Sequence, residues 1–221
     1  MTLFHSFDKE KRAILNPEDI IKKVASFPDT VVVTFKQQIL EIMLETFAHE
    51  KVTEMDLGGN IPVYKIQYKG KPLAFYKTVM GAAGAVSLME ESIAMGGRKF
   101  VIFGSCGTLD CGIDAGNLIV PTAAYRDEGT SYHYMEPGDY IEVETAETTA
   151  RILRELGLQF TGTKTWTTDG LYRETRHNMR NRISEGCKVV DMECSAFMAA
   201  AKFNGTPGHW GKFQRTSARC I

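Results

Sequence analysis

The chain has 221 residues, 43% hydrophobic and 24% charged, a globular composition that excludes disordered and collagen-like classes. That length suits one large domain better than two. A formal charge of −1 gives no global field to attract nucleic acid or an anionic membrane surface, so an anionic ligand must be held locally.

In chain order, the segment Met1 to Glu10 becomes charged before any apolar run builds up, and no later stretch is long and apolar enough to span a bilayer. The expected location is the cytoplasm, with neither membrane nor nucleic acid as partner. Short β-branched or aromatic runs then alternate with helically periodic stretches, an α/β signature. The pattern predicts strands over Val31 to Phe35, Pro62 to Tyr68, Leu73 to Val79, Phe100 to Phe103, Asn117 to Ala123, Gly162 to Thr168 and Lys188 to Val190. Most are too apolar for one-sided strands, so the expected fold is a single α/β domain with a central sheet covered on both faces. Helices are predicted over Glu18 to Ala25, Gln37 to His49, Ala85 to Met95, Ala146 to Leu156, Thr175 to Ile183 and Met192 to Phe203. Ile39, Leu40, Met43, Leu44 and Phe47 form one apolar stripe on the second helix. Five scattered cysteines (Cys106, Cys111, Cys187, Cys194 and Cys220) lack paired spacing and read as reduced, mostly buried thiols.

Four segments carry chemistry. In Lys99 to Thr108 a buried strand runs into Gly104-Ser105-Cys106-Gly107, where backbone N–H groups and a hydroxyl can approach an anion without side-chain obstruction. The same pattern also fits a tight turn closing a core strand. In Lys188 to Ala201 a strand leads at once into a nearly all-apolar helix headed by Asp191-Met192-Glu193. Carboxylates there suit the positive end of the helix dipole, the role that fits Asp191, while Glu193 can alternatively accept from a vicinal diol such as a ribose. Thr167 to Arg176 offers Tyr172 for stacking, with Arg173 and Glu174 as a donor fork and an acceptor, although residue pattern alone favours an ordinary turn and helix start. Tyr125 to Tyr134 packs charge, hydroxyls and aromatics into a loop that suits a site or a solvated connection. No histidine has zinc-ligand spacing with the cysteines, so no metal is expected.

In this order the segments resemble the nucleoside phosphorylase superfamily, which contains hexameric purine nucleoside phosphorylases and uridine phosphorylases, from about Val31 to Phe203. The resemblance implies a mixed β-sheet flanked by helices, a homo-oligomer and no cofactor, with a nucleoside and inorganic phosphate as ligands. It implies Ser105 and Gly81 for phosphate, Met192 and Glu193 for ribose, and Cys106, Gly107, Tyr172 and Arg173 for the base. Met80-Gly81-Ala82-Ala83-Gly84 is similar to the family's turn before the helix preceding the phosphate strand. The implied reaction is phosphate-dependent cleavage of an N-glycosidic bond to free base and ribose 1-phosphate, with uridine slightly favoured. Purine nucleoside phosphorolysis, a nucleosidase and a catalytically impaired nucleoside-binding relative are the alternatives.

The chain departs from the family in three places. The family's early Gly-Asp-x-x-Arg loop is replaced by Val31-Val32-Val33-Thr34-Phe35-Lys36-Gln37-Gln38, and Ile102 stands where an arginine precedes the Gly-Ser-Cys-Gly segment. Arg126, Arg173 or a neighbouring subunit's arginine are the candidate substitutes. After Phe203 the family pattern stops: residues 204–221 contain no acidic residue, and three glycines and a proline argue against regular structure. The expected division is a phosphorylase-like domain over residues 1–203 and an atypical tail over 204–221, as after a truncation or frame change in the gene.

Overall fold

The structure, a computed structural model, describes residues 3–5, 7–57, 59–206 and 208–213. Its strands are β1 (Thr30–Thr34), β2 (His49–Asp56), β3 (Asn60–Tyr68), β4 (Lys71–Lys77), β5 (Lys99–Gly104), β6 (Gly107–Thr108), β7 (Leu118–Asp127), β8 (Tyr140–Glu142), β9 (Phe160–Thr168), β10 (Cys187–Asp191) and β11 (Gly208–Phe213). Its helices are α1 (Pro17–Ile20), α2 (Gln37–Thr46), α3 (Ala82–Met95), α4 (Ala146–Glu155), α5 (Arg176–Ser184) and α6 (Cys194–Phe203). The strands form one mixed sheet in the order β2-β3-β4-β1-β5-β11-β7-β9-β10-β6, with β8 paired to β7. The expected α/β fold with a mixed sheet and flanking helices is present.

β1 is parallel to both β4 and β5, and its Val31 and Val33 are fully buried in the main core. The expectation of a buried strand is met because β-branched side chains fill a sheet covered on both faces. On one side the core continues into α3 and α6. Every residue of α6 from Cys194 to Ala201 is buried, as an all-apolar helix requires. The apolar stripe of α2 packs on a separate cluster around Leu40, Ile66 and Phe75.

Four features depart most from the sequence reading. The stretch predicted as the end of the second helix, up to His49, gives way to β2, an outer strand rich in exposed charge. Its polarity is what protects a sheet edge, and it also erases the hydrophobic signal of a strand. α1 is a four-residue turn starting at Pro17, where Asn16 and Asp19 cap one another, and the backbone is already extended at Ile21. The expected reduced thiols hold for Cys106, Cys187 and Cys194, which are buried and outside any disulfide. Cys111 is disulfide-bonded, against that expectation, and Cys220 lies outside the described residues.

The fourth difference is in the tail. Gly208–Phe213 forms β11, parallel to β5 from Gly208↔Phe100 to Lys212↔Gly104, and antiparallel to β7 at Lys212↔Ile119 and Phe213↔Leu118. The expectation of an irregular tail fails over these residues because backbone pairing with two flanking strands supplies what the glycine-rich sequence lacks in propensity. Residues 214–221 lie outside the described residues. β11 joins the two halves of the sheet, so truncation after Thr206 should unpair both β5 and β7. With each lost backbone hydrogen bond worth about 1 kcal/mol net, the melting temperature should fall by about 10 °C or more. Calorimetry checks this, and an unchanged melting temperature would show that β11 contributes nothing to the sheet.

Candidate functional site

A cavity of about 480 Å³ lies where four chain segments converge: the residues after β1, the turn between β5 and β6, the turn after β9, and the junction of β10 with α6. The two most distinctive sequence segments meet because β6 pairs antiparallel with β10, Gly107 opposite Val190. This registration sets Ser105, Cys106 and Gly107 against Met192 and Glu193 in one wall.

The β10–α6 junction is held by Asp191, buried to 5% exposure. Its Oδ1 accepts from the backbone N–H groups of Glu193 (3.0 Å) and Cys194 (2.9 Å) and from the Thr167 hydroxyl (3.0 Å). Its Oδ2 accepts from the Thr165 hydroxyl at 2.5 Å. The helix-capping role expected of Asp191 is therefore observed, extended by two threonines of β9 that share its face at alternate positions.

Glu193 is itself the residue that precedes α6. Its carboxylate is buried, and Oε1 accepts from the Gly81 N–H at 2.9 Å. Gly81 precedes α3 with φ of 99°, a left-handed conformation that an L side chain rarely adopts. The positive end of α3 is thus directed at the Glu193 carboxylate. A carboxylate has about four acceptor positions, so this anchoring is compatible with further donors from a ligand.

Five of the residues implied by the family resemblance line the cavity: Ser105, Cys106, Gly107, Met192 and Glu193. Gly81 adjoins the lining Met80, and its N–H is donated to Glu193. Tyr172 is 92% exposed and, like Arg173, is not part of the wall. Leu171 to Arg173 form a single 3-10 turn, in which positions three apart eclipse one another, so Leu171 and Glu174 face the cavity while Tyr172 and Arg173 face away.

Arg126 does not line the cavity either. It is buried at the end of β7, donating from Nε to the Ser131 hydroxyl (2.9 Å) and from Nη1 to the Glu136 carbonyl (2.8 Å), with its guanidinium 4.2 Å from the Tyr132 ring centre. Burial lowers its proton affinity, partly offset by Tyr132 and Glu128. The carboxylate of Glu128 spans this network, accepting from the Ser131 N–H and from the Ser195 hydroxyl of α6. Among the lining residues the one cationic side chain is Lys36, which the sequence reading marked only as part of a lost loop. Among the described residues no cluster of His, Cys, Asp or Glu suits a metal ion, and no helix is long and apolar enough to cross a membrane.

A cavity of this volume at converging strand ends, with a few fixed polar groups in a largely apolar wall, has the form of a small-molecule site. The chain belongs to the Phosphorylase superfamily, whose family model matches residues 30–208. It is 34% identical over 109 residues to the uridine phosphorylase of Thermococcus kodakarensis, covering 48% of this chain and 39% of that one. It is 35% identical over 74 residues to the guanosine phosphorylase of Halorubrum lacusprofundi, covering 32% and 31%. The matched stretches thus span less than half of these relatives. Among solved structures, uridine phosphorylase from Vibrio fischeri superposes with a TM-score of 0.78 at 19% identity, covering 92% of this chain and 87% of that one. Purine nucleoside phosphorylase from Toxoplasma gondii gives 0.71 at 17% identity, covering 89% and 78%. These likenesses establish the fold.

Replacing Asp191 by Ala strands two hydroxyls and two backbone N–H groups in the core, at about 3 kcal/mol or more. The melting temperature should fall by about 6 to 12 °C, and Asp191→Asn, which keeps one acceptor oxygen, should lose less. Thermal unfolding of the two variants checks this; equal stability to the parent would remove Asp191 from its structural role.

Proposed function

We propose that the protein is a nucleoside phosphorylase, cleaving the N-glycosidic bond of a nucleoside with inorganic phosphate, with uridine ahead of purine nucleosides. The observation that carries the reading is the convergence of Ser105, Cys106 and Gly107 with Met192 and the anchored Glu193 in one cavity. In this reading Glu193 accepts from the ribose hydroxyls, Met192 packs beneath the sugar, and Cys106 and Gly107 border the base. Leu171 and Glu174 stand in the wall where Tyr172 and Arg173 were expected, and Ser105 contacts phosphate. A phosphate oxygen bonds to C1′ as the C1′–N bond breaks, its electron pair leaving with the base, which takes up a proton. Fixed groups lower the barrier by positioning the reactants and stabilising the charge that develops. The relatives' names support this class of substrate, and the protein is proposed to act as a homo-oligomer in the cytoplasm.

A second reading is favoured by the charge of the cavity. Among the described lining residues three carboxylates (Glu174, Asp191 and Glu193) accompany one ammonium and no arginine. Such a site suits water as the acceptor, as in a nucleosidase, or binding without turnover.

Base release from a nucleoside panel, with and without phosphate, separates these readings. The proposal expects release to require phosphate; equal release without it selects the nucleosidase, and calorimetric binding with no release selects the impaired relative. If Glu193 holds the diol, Glu193→Gln should weaken nucleoside binding by about 1.5 to 3 kcal/mol, the worth of a charge-assisted hydrogen bond. A 2′,3′-dideoxynucleoside should show the same loss with the parent protein. Unchanged affinity in both, at normal thermal stability, would leave Glu193 as a purely structural link between α3 and α6.

A further inference from the structure

We infer that Lys36, together with the Ser105 hydroxyl, forms the anion-holding end of the cavity. The inference rests on the reading of the cavity as a nucleoside and phosphate site, and supplies the cation that neither Arg126 nor Arg173 brings to the wall. Lys36 is the sole cationic side chain among the described lining residues and is half-buried. Its ammonium makes no ion pair or hydrogen bond with any described residue, and neither does the Ser105 hydroxyl. The cavity thus holds two donor groups that no described residue engages, while its carboxylate Asp191 is engaged by β9 and the start of α6.

The backbone brings the two donors to the same level. β1 and β5 run parallel in a register that ends at Thr34↔Phe103. Lys36 and Ser105 are each two residues beyond that last pair. Phe35 holds the turn in place by lying against Gly104, so close that a Cβ on Gly104 would come within 2.8 Å of the ring. The Lys36 backbone is tied to the same strand end, its N–H donating to the Thr34 hydroxyl at 3.4 Å. An ammonium at the start of α2 and a hydroxyl at the end of β5 therefore border one space.

Lysine is a compact point charge without arginine's two-pronged geometry. One such charge half-neutralises a phosphate dianion, so the site should bind phosphate weakly and lose it readily as salt rises. Arsenate and sulfate, which share the tetrahedral shape, should compete.

Titration of inorganic phosphate into the full-length protein by calorimetry, at low and high salt, tests this without requiring turnover. Lys36→Gln should weaken phosphate binding about tenfold or more, leave nucleoside affinity within about twofold, and flatten the salt dependence. Lys36→Arg should retain most of the phosphate affinity, and Ser105→Ala should lose part of it. Should Lys36→Gln fail to fold, Lys36→Met gives the same comparison. Equal phosphate affinity in the parent and the neutral variant, or no phosphate binding by the parent, overturns the inference. Base release without phosphate overturns the phosphorylase reading by a separate measurement, while the phosphate titration still decides Lys36.

Discussion

The buried carboxylate of Asp191 is the constraint on which the site depends. By accepting from Thr165 and Thr167 of β9 and from the first N–H groups of α6, it fixes one helix end to two strands at once. Glu193 can then point in only a narrow range of directions, and its contact with the Gly81 N–H ties α6 to α3 across the core. A carboxylate taken out of water at this depth is tolerated because donors surround it. The same donors remove its freedom. A rigid acceptor beside an apolar helix is therefore a product of folding, available to a ligand without further ordering cost.

The opposite wall is set by backbone pairing. β5 leads through Ser105 into β6, which has only two residues, and β6 is positioned because it joins the edge of β10. The register of two short strands, more than any side chain, decides that Ser105 to Gly107 face Met192 and Glu193. β1 contributes the third side by the same logic, through its parallel register with β5 and the packing of Phe35 on Gly104. Evolution at such a site can exchange the charged residues while the frame persists. Here Lys36 is the cationic group among the described lining residues.

Much of this was legible in the sequence where burial and local pattern agree. The β-branched run of β1 and the all-apolar α6 declared themselves, and the Gly-Ser-Cys-Gly and Asp-Met-Glu segments marked the two walls. What escaped was set by tertiary context. β2 hides behind the charges that protect its edge, and β11 has a glycine-rich sequence that pairing alone turns into a strand. The turn after β9 shows the finer limit: sequence places Tyr172 and Glu174 equally near a ligand, and only the 3-10 geometry turns one outward and the other inward. Lys36 carried a signal, its position in place of the family's anion loop, but charge at one end of a helix has many uses until its neighbours are known.

In the proposed function a nucleoside lies between the β5–β6 turn and the β10–α6 junction. The most direct measurement is a crystal structure of the protein with a nucleoside. The account predicts the ribose hydroxyls within hydrogen-bond distance of the Glu193 carboxylate, the sugar over Met192 and the base beside Cys106 and Gly107. A nucleoside bound elsewhere, such as in the groove between residues 8–18 and the end of α6, with the Glu193 cavity empty, would contradict it.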